Sequence, residues 1–302
     1  MANTVRETIK ELTRSHLINR NSFCFGQCLT AVGWVGGTLP KLYEKDGMIE
    51  LTTADVANGG FVVGAALAGI KPIYVVRYQG FQWYNAPIII NYASKSNELW
   101  GVSCSIFIRS IAMEGSIGPV AGSSHHSIYD RMPGTKIIAP MTPKEYTNSY
   151  NSFLSDESVY YISEHRMSYD NKNELKNIIY DKSDIVLFPI SITRFEARKV
   201  ENILRERGLK ISIIDQIWIN PFSIKNQWIK CLNNSKYGGL VLDDDYENGV
   251  ASSLAHKLMI KSRKKVFTLG LENKTAGFHY KVDNLPPNAE KIISFIEQVI
   301  KI

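Results

Sequence analysis

Between Thr4 and Leu17 the apolar positions Val5, Ile9, Leu12 and Leu17, with His16, recur on one helical face, and Thr4 followed three residues later by Glu7 has the capping-box pattern. The pattern predicts an amphipathic opening helix. Short apolar runs bounded by polar residues or glycine then predict strands at 22–26 and 48–51. Phe61 to Gly69 reads as a helix crowded with small residues, standing after Asp55, and 72–76 as a strand that leads to Phe81. Interior glycines each cost a helix about 1 kcal/mol, so this composition suggests close approach of another backbone or a ligand, or tight packing of two helices. A helix at 82–99 despite Pro87, strands at 102–108, 136–139 and 158–163, and a helix at 143–154 with proline in its first turn complete the first half.

Tyr169 to Ser183 is polar and mixed, and reads as a connection. Beyond it the alternation resumes. Strands are predicted at 184–189, 210–215, 239–242 and 266–269, and helices at 193–207, 224–232, 247–260 and 289–302. Strands and helices alternating on both sides of a connection predict an α/β protein of two parallel-sheet domains with right-handed crossovers, spanning 1–170 and 184–302. A chain of 302 residues agrees with two cores.

Charge and cysteine content narrow the function classes. The formal net charge is +6, but the basic residues are scattered, and the one dense group, Lys261 to Lys265, reads as a solvated face and not a nucleic-acid patch. Cys24, Cys28, Cys104 and Cys231 have no metal-ligand spacing, as expected of buried thiols in a reducing compartment. The N-terminal residues lack an export signal, and no apolar run is long enough to span a bilayer, so a cytoplasmic location is expected.

Neither a Gly-x-Gly-x-x-Gly nor a Gly-x4-Gly-Lys-Ser/Thr motif occurs, which removes the two commonest nucleotide-binding signatures. In open α/β sheets ligands bind beyond the carboxyl ends of strands. There the chain offers Gln27, Asp55, Phe81, Arg109, His125, His126 and Glu164. The loop from Arg109 to Ser127, ending Gly122-Ser123-Ser124-His125-His126-Ser127, is long enough to suggest a function.

These residues carry a resemblance. Thr4-Val5-Arg6-Glu7-Thr8-Ile9, Phe25-Gly26-Gln27, Gly36-Gly37, Val63 to Pro72, Gly80-Phe81, His126-Ser127, Pro133 to Pro140 and Glu164-His165 occur in an order that resembles the β subunit of the decarboxylating component of 2-oxoacid dehydrogenase complexes. That subunit shares its two domains with transketolase. In the second half the match is carried by Leu242-Asp243-Asp244-Asp245 to Gly249 and by Asp283 to Pro287.

The resemblance implies a thiamine-diphosphate pyrimidine-binding domain followed by a transketolase C-terminal-like domain. It also implies a partner α subunit that binds the diphosphate and its magnesium through a Gly-Asp-Gly motif absent here, in an α2β2 heterotetramer. It places Asp55 as the carboxyl that hydrogen-bonds the aminopyrimidine, Phe81 as the ring stacked on it, and His125 or His126 as the group that assists proton transfer or holds the substrate carboxylate. His126 fits the β-subunit pattern and His125 the transketolase pattern. The family has glutamate where Asp55 and Gln27 stand, and Gln27 cannot carry a charge. The implied activity is cleavage of a carbon-carbon bond beside a carbonyl, of the 2-oxoacid decarboxylation type, with passage of the acyl or ketol carbanion to an acceptor. Two-carbon ketol transfer on a sugar and a regulatory subunit that has lost its chemistry are the alternatives.

Overall fold

The computed structural model describes residues 3–20, 22–113, 120, 122–276 and 284–300. Much of the loop before Ser127, Asp283 of the second-half match and the last two residues of the predicted closing helix lie outside them. The chain divides into two compact units, one formed by the described residues through 174 and the other by those from 175 onward.

In the first unit the elements are α1 (Val5–Arg20), β1 (Cys24–Gln27), α2 (Gly33–Gly37), β2 (Met48–Leu51), α3 (Asp55–Leu67), β3 (Ile73–Val76), α4 (Gln82–Ile88), α5 (Ser94–Trp100), β4 (Phe107–Ala112), α6 (Ser127–Asp130), β5 (Thr135–Ile138), α7 (Pro143–Leu154) and β6 (Val159–His165). The predicted capping box opens α1: Glu7 Oε2 accepts from the Thr4 amide at 2.7 Å, and Thr4 Oγ1 accepts from the Glu7 amide at 3.1 Å. Six strands of this unit lie in the order β2-β1-β3-β4-β6-β5, paired in parallel. Every residue of β3, β4 and β6 is buried, as in a sheet covered on both faces.

Among the boundaries that differ from the sequence expectation, the two at Arg109 and Glu164 share one reason. The expected strand 102–108 is β4 at Phe107–Ala112, so Arg109 lies inside the strand, and Glu164 lies inside β6. Arg109 Nε and Nη2 donate to Glu164 Oε2 and Oε1 at 2.9 and 2.7 Å, so each charge is tolerable in the sheet because the other is opposite it. Of the small residues in α3, Gly59 makes a close approach: a Cβ there would lie 2.9 Å from Asn85 Cβ in α4. Gly60 and Gly64 have nothing within 4 Å of that position.

The second unit comprises β7 (Ile185–Pro189), α8 (Thr193–Glu206), β8 (Ile211–Ile213), β9 (Trp218–Asn220), α9 (Asn226–Asn233), β10 (Gly239–Tyr246), α10 (Val250–Ser262), β11 (Val266–Leu271) and α11 (Ala289–Ile300). Four of its strands form a parallel sheet, β11-β10-β7-β8. Its core joins Leu187, Leu240 and Leu242 of the sheet to Val200 and Leu204 of α8 and Ile292 and Ile296 of α11.

Candidate functional site

The first sheet reverses its strand order around β1, which has β2 on one side and β3 on the other. A crevice opens at such a switch point because the connections leave in opposite directions. Here a cavity of about 210 Å³ is lined by Gln27 and Cys28 at the end of β1, Thr53 and Asp55 after β2, and Arg77, Tyr78 and Phe81 after β3, with Tyr74, Val75 and Val76 as its floor. The structure therefore brings together Gln27 from the end of β1, Asp55 from the start of α3 and Phe81 from the turn after β3.

Asp55 is the first residue of α3, not a residue ahead of it. Its Oδ1 accepts from Gln27 Nε2 at 3.0 Å, and among the described residues no hydrogen bond occupies Oδ2. Tyr74 beneath has its hydroxyl pushed above the ordinary tyrosine range, first by burial and then by the charge of Asp55, so it stays protonated. The turn after β1 is held by Glu50, whose carboxylate accepts from the Leu29 and Thr30 amides at 2.8 and 3.2 Å. Phe81 closes a short 3-10 turn after β3, its ring 5.9 Å from that of Tyr78.

His125 and His126 do not line this cavity. His126 is fully buried with Nδ1 3.1 Å from Ser163 Oγ; His125 is half-buried, Nε2 3.0 Å from Ser123 Oγ and its ring edge-on to Trp83. What ties the histidines to the cavity wall is Gln79, which sequence reasoning missed. Its Nε2 donates to Ser163 Oγ at 2.9 Å, and its Oε1 accepts from the His125 amide at 2.6 Å and the Tyr161 hydroxyl at 3.0 Å. Buried glutamine two residues before Phe81 carries no motif, and only its complete satisfaction in the fold reveals its role. Glu50 had a signal, an acid in a short apolar strand.

Fold and site together define a two-unit parallel α/β protein with a ring-sized, acid-bearing cavity at a strand switch point. Residues 27–172 match the family described as "Transketolase, pyrimidine binding domain". The 2-oxoisovalerate dehydrogenase subunit beta of Bacillus subtilis (strain 168) is 26% identical over 257 residues, covering 77% of this chain and 76% of its own. The pyruvate dehydrogenase E1 component subunit beta of Rickettsia bellii (strain RML369-C) is 22% identical over 241 residues, covering 73% and 74%. A solved structure described as "Split gene transketolase, inactive beta4 tetramer" superposes with a TM-score of 0.73 at 11% identity, covering 100% of this chain and 99% of that one, and is a likeness of fold. The first unit of the chain thus matches the transketolase pyrimidine-binding family, and the chain is similar over about three quarters of its length to 2-oxoacid dehydrogenase β subunits.

Proposed function

We propose that the chain is the β subunit of a two-subunit thiamine-diphosphate enzyme that cleaves a carbon-carbon bond beside a carbonyl, in the manner of 2-oxoacid decarboxylation. The observation that carries this reading is the convergence of Gln27, Asp55 and Phe81 on one cavity of about 210 Å³. The donor set suits an aminopyrimidine: Asp55 has a carboxylate oxygen left open by Gln27, Phe81 offers a ring face, and the floor is apolar. When bound, thiamine diphosphate supplies a nucleophilic carbon and the electron sink for the carbanion that cleavage leaves.

The chain's own part is to hold and orient. Asp55 would accept a hydrogen bond from a ring N–H through Oδ2, while Gln27 fixes the carboxylate from the other side without adding a second charge. Phe81 would set the tilt of the ring. The histidines, anchored through Gln79 and Ser163, would hold the substrate carboxylate or carry a proton to the reacting carbon, and His125 is the less buried of the two.

The diphosphate and magnesium would be held by an α subunit in an α2β2 heterotetramer. Support for a partner comes from the apolar surface of α3, α4, α5 and the π-helical segment Ile89–Ala93 between the last two, where Val56, Phe61, Trp83, Tyr84, Tyr92 and Trp100 are all at least half exposed. All four cysteines are free, which agrees with a reducing cytoplasm. No helix among the described residues is long and apolar enough to cross a membrane. Co-production with a candidate α subunit and calorimetry with thiamine diphosphate tests the reading. Binding, with loss of turnover in Asp55→Ala, is expected; absence of binding with every cognate partner overturns it.

A further inference from the structure

Val76, Ser110 and Ser163 stand in register across β3, β4 and β6, and Gln79 follows three residues after Val76. The side chains of Gln79, Ser110, Ser163 and His126 are all fully buried. A buried amide is costly unless its hydrogen-bonding positions are filled. Those of Gln79 are filled completely: Nε2 donates to the Ser110 carbonyl at 3.2 Å and to Ser163 Oγ at 2.9 Å, while Oε1 accepts from the His125 amide and the Tyr161 hydroxyl.

The direction of these bonds is set by groups that have no choice. The His125 main-chain N–H can only donate and the Ser110 carbonyl can only accept, so the amide cannot be turned over without losing both. Ser163 Oγ therefore receives an N–H from Gln79, and its hydroxyl proton goes to its other partner, His126 Nδ1, at 3.1 Å. A ring nitrogen that accepts carries no proton. Neutral His126 then holds its proton on Nε2.

This tautomer limits what the ring can do. An imidazolium would carry a proton on Nδ1 as well, and the Ser163 hydroxyl would have to turn away from its acceptor inside the sheet. A neutral ring that surrendered its Nε2 proton would become an imidazolate. Hydrogen-bond donation through Nε2 is the role that remains.

The same residue reaches the cavity wall. Gln79 opens the short turn that ends on Phe81. Beside it, a Cβ on Gly80 would lie 2.5 Å from the Val120 carbonyl oxygen, to which the Gly80 amide donates at 3.2 Å. The chain leading to the histidines is thus seated on the turn that carries Phe81.

We propose that Gln79 is a positioning residue: through Ser163 it fixes His126 as the Nε2–H tautomer, making that histidine a hydrogen-bond donor to a substrate oxygen and neither the acid nor the base of the reaction. The tautomer concerns this chain alone, whereas the substrate oxygen rests on the preceding reading, in which the histidines meet the substrate. Of the two roles considered there, holding the substrate and carrying a proton, the bond directions assign the first to His126.

Gln82 supplies the control. It is equally buried, its Nε2 donates to Ser110 Oγ at 3.0 Å and its Oε1 accepts from the Tyr129 hydroxyl at 2.6 Å, and neither bond involves Ser163 or a histidine. The full chain is produced with isotopically labelled histidine, and long-range proton–nitrogen spectra are recorded at pH 8, the His126 signals being assigned by their loss in His126→Gln. Parent and Gln82→Met should show Nε2 protonated and Nδ1 bare, and Gln79→Met and Ser163→Ala a mixture of tautomers. Unfolding midpoints identify the folded variants. The parent spectrum decides without them, since a proton on Nδ1 overturns the proposal, as does a Gln79→Met spectrum equal to the parent's.

In the α-subunit complex, Gln79→Met and His126→Gln should each raise KM for the 2-oxo acid about tenfold or more, and the double variant should be little worse than either. Additive losses would mean that Gln79 acts other than through His126. A fall in kcat with KM unchanged in His126→Gln would make the ring a proton carrier and overturn its donor role. If the tautomer is as stated but the cofactor binds with no cognate partner, the reading of the enzyme falls with the substrate role, and the tautomer assignment stands.

Discussion

Gln27 Nε2 donates to Asp55 Oδ1 at 3.0 Å, joining the end of β1 to the first residue of α3 across the switch point of the sheet. Both positions depart from the glutamates of the resembled family, and the geometry relates the two departures. Two carboxylates at this separation would repel or share a proton, whereas an amide opposite a carboxylate does neither. The shorter acid is thus held by a neutral donor through Oδ1, which under the proposed function leaves Oδ2 for the cofactor ring.

Gln27→Leu in the α-subunit complex should weaken thiamine diphosphate about tenfold or more, because a hydrogen bond to a charged group contributes roughly 1.5–3 kcal/mol. Gln27→Glu preserves size but sets two acids against each other. Its affinity should fall at least as far at pH 8 and recover in part toward pH 5, where one carboxyl of the pair takes up a proton and becomes the missing donor. Calorimetry at the two pH values reads both effects, and a pH-independent affinity equal to the parent's would remove Gln27 from the site.

Phe81→Ala should lower cofactor affinity by roughly tenfold, since a stacked aromatic contact contributes about 0.5–1.5 kcal/mol beyond its buried area. Phe81→Tyr keeps the ring face and should bind nearly as the parent does. Equal affinity in the alanine variant would mean that the ring faces something other than the cofactor.

The buried pair Arg109 and Glu164 makes a different prediction, about stability. Both side chains are essentially inaccessible, Tyr169 and Thr38 add hydrogen bonds, and Arg109 Nη1 has no hydrogen-bond partner among the described residues. Glu164→Gln leaves a buried guanidinium uncompensated and should destabilise the fold by about 3–5 kcal/mol in urea unfolding. Replacing both residues by Met and Leu should recover much of that loss. A double variant as unstable as the single one would show that the surrounding hydroxyls, and not the charges, require the pair.

How far the sequence could be read follows from where each signal resides. Period and punctuation located most helices and strands, though not α2, α6 or β9, and the strand-end rule names Gln27, Asp55 and Phe81, which the fold brings to one cavity. It failed for Arg109 and Glu164, because a charge in an apolar run looks like the end of a strand unless its partner, 55 residues away, is known. Gln79 was illegible for the same reason, because its meaning lies in what it contacts, which local pattern does not encode. The left-handed Trp34 and Val35 run against propensity, and no sequence rule would put a β-branched residue there.

The last prediction concerns acid stability and begins with a histidine outside the site. His16 of α1 is 1% exposed, with Nε2 2.8 Å from the Lys71 carbonyl and Nδ1 2.7 Å from the Tyr150 hydroxyl. A carbonyl can only accept, so Nε2 carries the proton and Nδ1 accepts from Tyr150; the ring is neutral and satisfied. Burial lowers its pKa from 6.5 to about 4, and pushes the Tyr150 hydroxyl up to about 12. Below pH 6.5 the unfolded chain takes up a proton that the folded chain refuses until about pH 4. Stability therefore falls with pH across that window and the loss levels off beneath it, amounting to roughly 3 kcal/mol for this group. Acidic residues contribute their own acid sensitivity, so the measurement is a difference: urea unfolding of the parent and of His16→Gln from pH 4 to pH 8. The variant should be less stable at pH 8 and should lose less on acidification, so that the two curves converge toward pH 4. Parallel curves would mean that His16 takes up its proton without leaving its place in the fold.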